Sequence, residues 1–153
     1  MSLYEGLLAL HILSAVVWVG GGTAMQVMGT RIRASGDGTA MAVFGHQAEW
    51  MGMMVFMPAS IVQLVTGIWL VIEIDYSFSE FWIAFGLFGI LFSAVVGAAF
   101  LGPQSGKLGT LAAEKGFEDP ETQAVLQRLV LVSRIELGIL LLVVIDMAIK
   151  PFS

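Results

Sequence analysis

The sequence predicts an all-α protein, a four-helix transmembrane bundle. Three observations carry that expectation. Of its 153 residues 58% are hydrophobic and only 12% charged, against about 25% charged in a soluble domain. Four long apolar runs alternate with polar connections. The basic residues gather in two of the three connections, the pattern that marks cytoplasmic loops. The expected spans are residues 3–28, 51–72, 81–101 and 129–149, inside a single integral membrane domain covering residues 1–153. Mean hydropathy of +0.89 agrees.

Composition also excludes several classes. There is no Cys, so disulfides and thiolate metal sites are ruled out. The net charge of −5 gives no basic face for nucleic acid. Met1 to Glu5 lacks the positive region of a cleavable signal, so the first run is expected to stay as a span. No HExxH spacing and no phosphate-binding loop occurs, which leaves soluble-type hydrolase chemistry without support.

The first run, Leu3 to Met28, contains His11 and no Lys, Arg or Asp. It exceeds the roughly 20 residues a helix needs to cross the bilayer core. His11, Ser14, Ala15, Trp18, Gly22 and Met25 recur at spacings of three and four, so they share one helical face. An ionisable residue at membrane depth normally faces a bundle interior. Ser35 to Gly38 reads as a turn, and Thr39 as the cap of a new helix. Residues 40–50, with His46 and Glu49, form an expected helical extension on the cytoplasmic side. The second span contains Pro58, which should kink it, and carries Ser60, Gln63, Thr66 and Gly67.

An acidic loop from Glu73 to Glu80 precedes the third span. That span carries the stripe Gly89, Ser93, Gly97, small residues that let helices approach closely. Gly102 and Pro103 are expected to end it. Residues 104–119 form the third connection, with a short surface helix stopping at Gly116. Asp119 followed by Pro120 is a start signal. The last helix begins with a water-exposed extension, residues 120–128, then spans 129–149 with Arg134, Glu136 and Asp146 inside it.

Arg31, Arg33, Lys107, Lys115, Arg128 and Arg134 lie in or near the first and third connections, and the second has none. Both long connections are therefore expected inside and both termini outside, as two hairpins with cytoplasmic connections. Tyr4, Trp69, Tyr76, Phe78 and Trp82 form an outer aromatic belt, with Trp50 at the inner one. Trp18 lies too deep for either belt and is assigned to the bundle interior. Expected localisation is the inner, cytoplasmic membrane, multi-pass. The bilayer is the partner that composition demands, and a homo-oligomer is compatible with it.

Counting about 1.5 Å per residue puts His11 at the depth of Gln63 and Thr66, and His46 about 20 Å or more further in. The two imidazoles cannot clamp one ligand. Arg134 and Glu136 are two apart, nearly opposite around the helix, and make poor direct partners. The Met residues include Met25, Met28, Met51, Met53, Met54 and Met57 toward the inner half; they are soft donors for Cu(I) and equally good gap-fillers.

The segments HILSAVVWVGGG (His11 to Gly22), YSFSEFW (Tyr76 to Trp82), FLGPQSGKL (Phe100 to Leu108) and DMAIKP (Asp146 to Pro151) resemble a family of bacterial four-span integral membrane proteins of unknown function. The first helix alone, His followed seven residues on by Trp and then glycines, is similar to the copper-resistance protein D type and to the HemJ type of protoporphyrinogen oxidase. That resemblance implies an intramembrane His associated with haem b, and only His11 carries over as an axial ligand to the iron. Three function classes stay open. One is a haem- or quinone-linked redox protein using His11, Trp18 and Gln63. Another is a carrier of a small solute or ion, copper included. The third is a non-catalytic membrane scaffold.

Overall fold

The computed structural model describes residues 2–152 and is helical throughout, with no strand among the described residues. Four rods account for nearly all of it: α1 (Leu3–Ser35), α2 (Gly38–Glu73) and α3 (Phe81–Lys115), then α4 (Pro120–Ile149). The first three have the length and apolar composition to cross a membrane. In α4 the apolar stretch is interrupted by Arg134, Glu136 and Asp146. At 33 to 36 residues, α1 to α3 each run roughly 50 Å, well beyond a hydrocarbon core of about 30 Å.

The rod ends follow local chemistry. Ser2 and Glu5 form a reciprocal capping box that starts α1. Gly36, at φ 67°, ends it. The cap of α2 is Asp37, not Thr39: its carboxylate accepts from the Thr39 and Ala40 amides. A carboxylate one residue before the first turn reaches two orphan amides, whereas Thr39 is already inside the helix. Asp119 caps α4 as expected, accepting from Glu121 and Thr122, with Pro120 in the first turn.

Two expected boundaries are corrected. The first helix does not stop near Gly29 but continues to Ser35. The third does not stop at Gly102 and Pro103; it runs on unbroken to Lys115. The reason is a π-turn at Gly97–Leu101 immediately ahead of Pro103. A π-turn widens the backbone ladder, so a proline ring that lacks a donor can follow it without breaking the rod. Pro58 sits in the same relation to a π-turn at Gly52–Phe56. A third π-turn occupies Val16–Gly20, around Trp18.

Packing differs between the two ends. Toward the α1–α2 and α3–α4 connections, α2 and α3 are in their closest contact. A Cβ on Gly45 would lie 2.6 Å from the Gly109 amide nitrogen and 2.7 Å from the Ser105 carbonyl oxygen. Met41, Ala42, Leu108, Leu111, Ala112, Val125, Leu126 and Leu129 form a buried core there. Above it the apolar side chains turn outward: Leu13, Val16, Phe88, Val95 and Leu131 are all at least 60% exposed, which is expected of surfaces facing lipid rather than water.

Small residues behave differently along α3 than the stripe suggested. Gly86 is covered by Met147, and Gly89 by Val143 and Ile139, all from α4. Gly97 has nothing within 4 Å of a built Cβ, so it faces open space and does not pack against a helix. Trp82 also departs from the expected belt. It is buried, edge-on to Tyr76, with the Lys150 ammonium 4.9 Å from its ring centroid.

Candidate functional site

The face of α1 that carries His11 does turn inward, and it meets α2. His11 Nδ1 lies 3.0 Å from Thr66 Oγ1, and His11 Nε2 lies 2.9 Å from Gln63 Nε2. Ser14 Oγ donates to Gln63 Oε1 at 2.5 Å, and Thr66 Oγ1 donates to the Val62 carbonyl at 2.6 Å. Ser14 also has the His11 carbonyl as an acceptor at 2.9 Å, so either neutral tautomer of the ring closes the chain. In one, the Gln63 NH2 donates to Nε2 and Nδ1–H donates to Thr66; in the other, Nε2–H donates to the Gln63 oxygen and Thr66 donates to Nδ1. Both leave Ser14, Gln63, His11 and Thr66 satisfied with a neutral imidazole. Gly67 completes the fit, since a Cβ there would lie 3.0 Å from His11 Cε1.

One layer inward the polarity ends. Trp18, Ala59, Ile90 and Leu140 form a buried apolar layer contributed by all four rods. Trp18 is 6% exposed and faces the interior. Beyond this layer a cavity of about 660 Å³ opens between the rods. Trp18, Phe56, Met25, Met53 and Met57 form much of its apolar wall, and Ser60, Ser93, Glu49, Arg134 and Glu136 supply polar groups. On α1 the lining runs from Trp18 to Arg33, about 22 Å along the helix. Its volume and composition match those of a small-molecule site, mostly apolar with a few convergent polar groups.

All three π-turns meet this cavity: Trp18, Gly52 with Phe56, and Gly97 all belong to its wall. Three glycines in those turns, Gly20, Gly52 and Gly97, have open space where a Cβ would be, and Gly52 and Gly97 line the cavity. One polar pair in the wall is unusual. Ser93 is 0% exposed, and its Oγ lies beside the Glu136 carboxyl, close enough to interact with it but outside regular hydrogen-bond geometry.

The expected site residues therefore separate into three places. His11 and Gln63 belong to the outer polar chain. Trp18 belongs to the apolar layer. Arg134 and Glu136 line the inner cavity. Asp146 is elsewhere, buried near the outer end of α4 with Oδ2 unpartnered. His46 is exposed and lies against Gly109; it is twenty residues from Thr66 along α2, about 30 Å. Sequence reasoning missed Ser93 and Glu49 as cavity residues. For Ser93 the available signal was a hydroxyl in the middle of a stripe of glycines.

Haem can be tested against this geometry. An iron ligand needs the imidazole lone pair. Both ring nitrogens of His11 are engaged, Nδ1 with Thr66 and Nε2 with Gln63, and His11 is not in the cavity wall. As folded, the ring does not fit an axial ligand. No group of three or more His, Cys, Asp or Glu side chains is placed to hold a metal ion among the described residues.

Comparison with known sequences now gives the affiliation. Residues 5–151 match the family described as "Predicted integral membrane protein (DUF2269)". The chain belongs to that family. No curated protein and no solved structure matches it. Membership carries integral membrane character across nearly the whole chain, which agrees with the three membrane-capable rods.

Proposed function

We propose a four-span inner-membrane protein, termini outside, that binds a membrane-borne amphipathic small molecule in the cavity between its rods. Quinones are the redox form of this ligand class and keep the redox reading alive without His11 as a metal ligand. The observation that carries the proposal is the cavity wall itself: largely apolar, with the buried Ser93 hydroxyl beside the Glu136 carboxyl. Together they offer a bound molecule a donor and an acceptor in apolar surroundings. Support for the fourth span comes from α4 packing along α3 through Gly86 and Gly89, with Arg134 near its inner end.

The test has two parts. Protein purified in mild detergent is extracted with organic solvent, and the extract is analysed by mass spectrometry for stoichiometric quinone or related amphiphile. Gly97→Leu should fill the cavity and abolish retention while the protein keeps its thermal stability. Retention unchanged in Gly97→Leu would place any ligand elsewhere. For topology, Ser77→Cys should label from outside intact cells and Ser35→Cys should not. A Soret band lost in His11→Ala would reinstate haem and displace this reading.

Transport of a small solute or ion is a second reading with its own support. The cavity stops at the Trp18 layer, and a polar chain resumes on the far side. Met25, Met53 and Met57 in its wall give the copper form of this reading its soft donors. Proteoliposome uptake that requires Gln63 and is lost in Gly97→Leu would favour it.

A further inference from the structure

We propose that the outer surface between α1 and α4 is a binding site for one anionic phospholipid of the inner leaflet. A recess of about 440 Å³ lies there, separate from the central cavity but sharing part of its wall. Its lining includes two arginines, Arg31 from α1 and Arg134 from α4, together with Gln26 and Thr30. Both arginine side chains are exposed. Lys107 and Lys115 are ion-paired with Glu121, whereas among the described residues no carboxylate stands within ion-pair distance of either guanidinium.

Arg134 projects from a helix surface whose neighbours Leu131 and Ile135 are 62% and 51% exposed. A guanidinium on such a lipid-facing surface is costly unless something anionic meets it. Arginine forks bind phosphate in bidentate fashion, and basic pockets between helices on the cytoplasmic side recognise anionic headgroups.

The direction of the recess selects a lipid over a free anion. From Arg134, α4 climbs one turn to Gly138 and nearly two to Leu141. From Arg31, the oppositely running α1 climbs one turn to Val27. All three line the recess. Gly138 has open space where a Cβ would be. On each rod the arginine is the lining residue nearest the basic connections and the apolar lining residues lie away from it, the order in which an acyl chain runs from headgroup level toward the midplane. This rests on the basic connections facing the cytoplasm.

Native mass spectrometry of the full chain, released from detergent with phosphatidylglycerol or phosphatidylcholine added, tests the site. Wild type should retain one phosphatidylglycerol in clear preference to phosphatidylcholine. Each arginine should contribute about fivefold, so Arg31→Gln with Arg134→Gln should erase the preference. Arg31→Gln alone, near the exposed end of α1, serves if the double variant does not fold. Gly138→Leu keeps both charges and should still release the lipid by filling the slot. Arg128→Gln is the control and should leave the preference intact. Equal retention of the two lipids by wild type, or an unaltered preference in the arginine variants, would overturn the proposal. So would displacement of the lipid by inorganic phosphate at tens of millimolar, since that would mark a site for the free anion.

Discussion

Gly45→Ala is the sharpest test of how the inner ends of the rods are joined. The added methyl would stand 2.6 Å from the Gly109 nitrogen, 2.7 Å from the Ser105 oxygen and 2.8 Å from the Gly109 Cα. All three are backbone atoms, so no rotamer change relieves the clash. Ordinary contact begins at 3.4 Å, and the rods must therefore part by about 0.8 Å. Separation on that scale forfeits a quarter to a half of the dispersion attraction across the gap. The atoms affected are those of Met41, Ala42, Leu108, Leu111 and Ala112, the best-buried apolar group in the protein. Overpacking of this kind costs about 1–3 kcal/mol. Ala in place of Gly returns up to about 1 kcal/mol of helix propensity, leaving a net loss of up to about 2 kcal/mol against wild type and about 1–3 kcal/mol against a Gly→Ala change at an open helix position.

Gly138→Ala is the matched control, because its Cβ meets nothing within 4 Å and only the propensity gain remains. In detergent, followed by tryptophan fluorescence, Gly45→Ala should melt at least about 2 °C below Gly138→Ala, which should melt at or above wild type. Gly45→Ala melting level with Gly138→Ala would refute the close crossing and with it the reason α2 and α3 run so far past the hydrocarbon.

Three further outcomes are expected. Gln63→Leu strands His11 Nε2, while Ser14 keeps the His11 carbonyl, and should lower stability by about 1–2 kcal/mol; Gln47→Leu, at an exposed site on the same rod, should not, and equal melting of the two would show the chain to be unimportant. Gly89→Leu should destabilise by about 1–3 kcal/mol against Val143 and Ile139, while Gly97→Leu leaves stability unchanged; the reverse order in a thermal melt would invert the assignment of faces on α3. Lys115 beside Glu121 holds that carboxyl below its usual value of 4.5, and Glu121 holds the Lys115 ammonium above its usual 10.5. The carboxylate's contribution is therefore present above pH 4.5 and fades as pH falls through the lowered value; the ammonium's fades as pH rises above 10.5. Glu121→Gln should melt below wild type near neutral pH and match it in strong acid, and a gap that persists there would exclude the pair as its cause.

Much of this was legible in the sequence because membrane depth leaves few options. His11 had to find a partner, since lipid offers none, and at its level Gln63 and Thr66 were the polar candidates; both are used. Trp18 was too deep for an interfacial anchor, and it closes the interior. Asp119 and Pro120 announced α4 through cap chemistry that acts locally. What failed depended on longer-range geometry. Pro103 reads as a stop because a proline in a regular α-helix breaks the ladder. Whether the turn before it is widened is decided by neighbouring rods, and no local signal marks a π-turn. Gly89 and Gly97 look identical as a stripe, yet a drift of the helix face over two turns puts one against Val143 and the other into the cavity.

The placement of the polar groups then argues about function more strongly than any one residue. Had Gln63, His11, Ser93 and Glu136 all served as interhelical glue, each should be satisfied by a neighbour. The outer chain meets that standard completely, from Ser14 to the Val62 carbonyl. The inner cavity differs: Ser93 Oγ is sealed from solvent beside the Glu136 carboxyl without a regular hydrogen bond, and three π-turns meet the same wall. Buried atoms without partners also occur at Trp82, Thr122 and Asp146, so the hydroxyl alone marks no site. What sets this side of the Trp18 layer apart is that three backbone irregularities converge on one cavity. Irregular helix turns gathered at one place are the expected signature of a site kept open for a ligand.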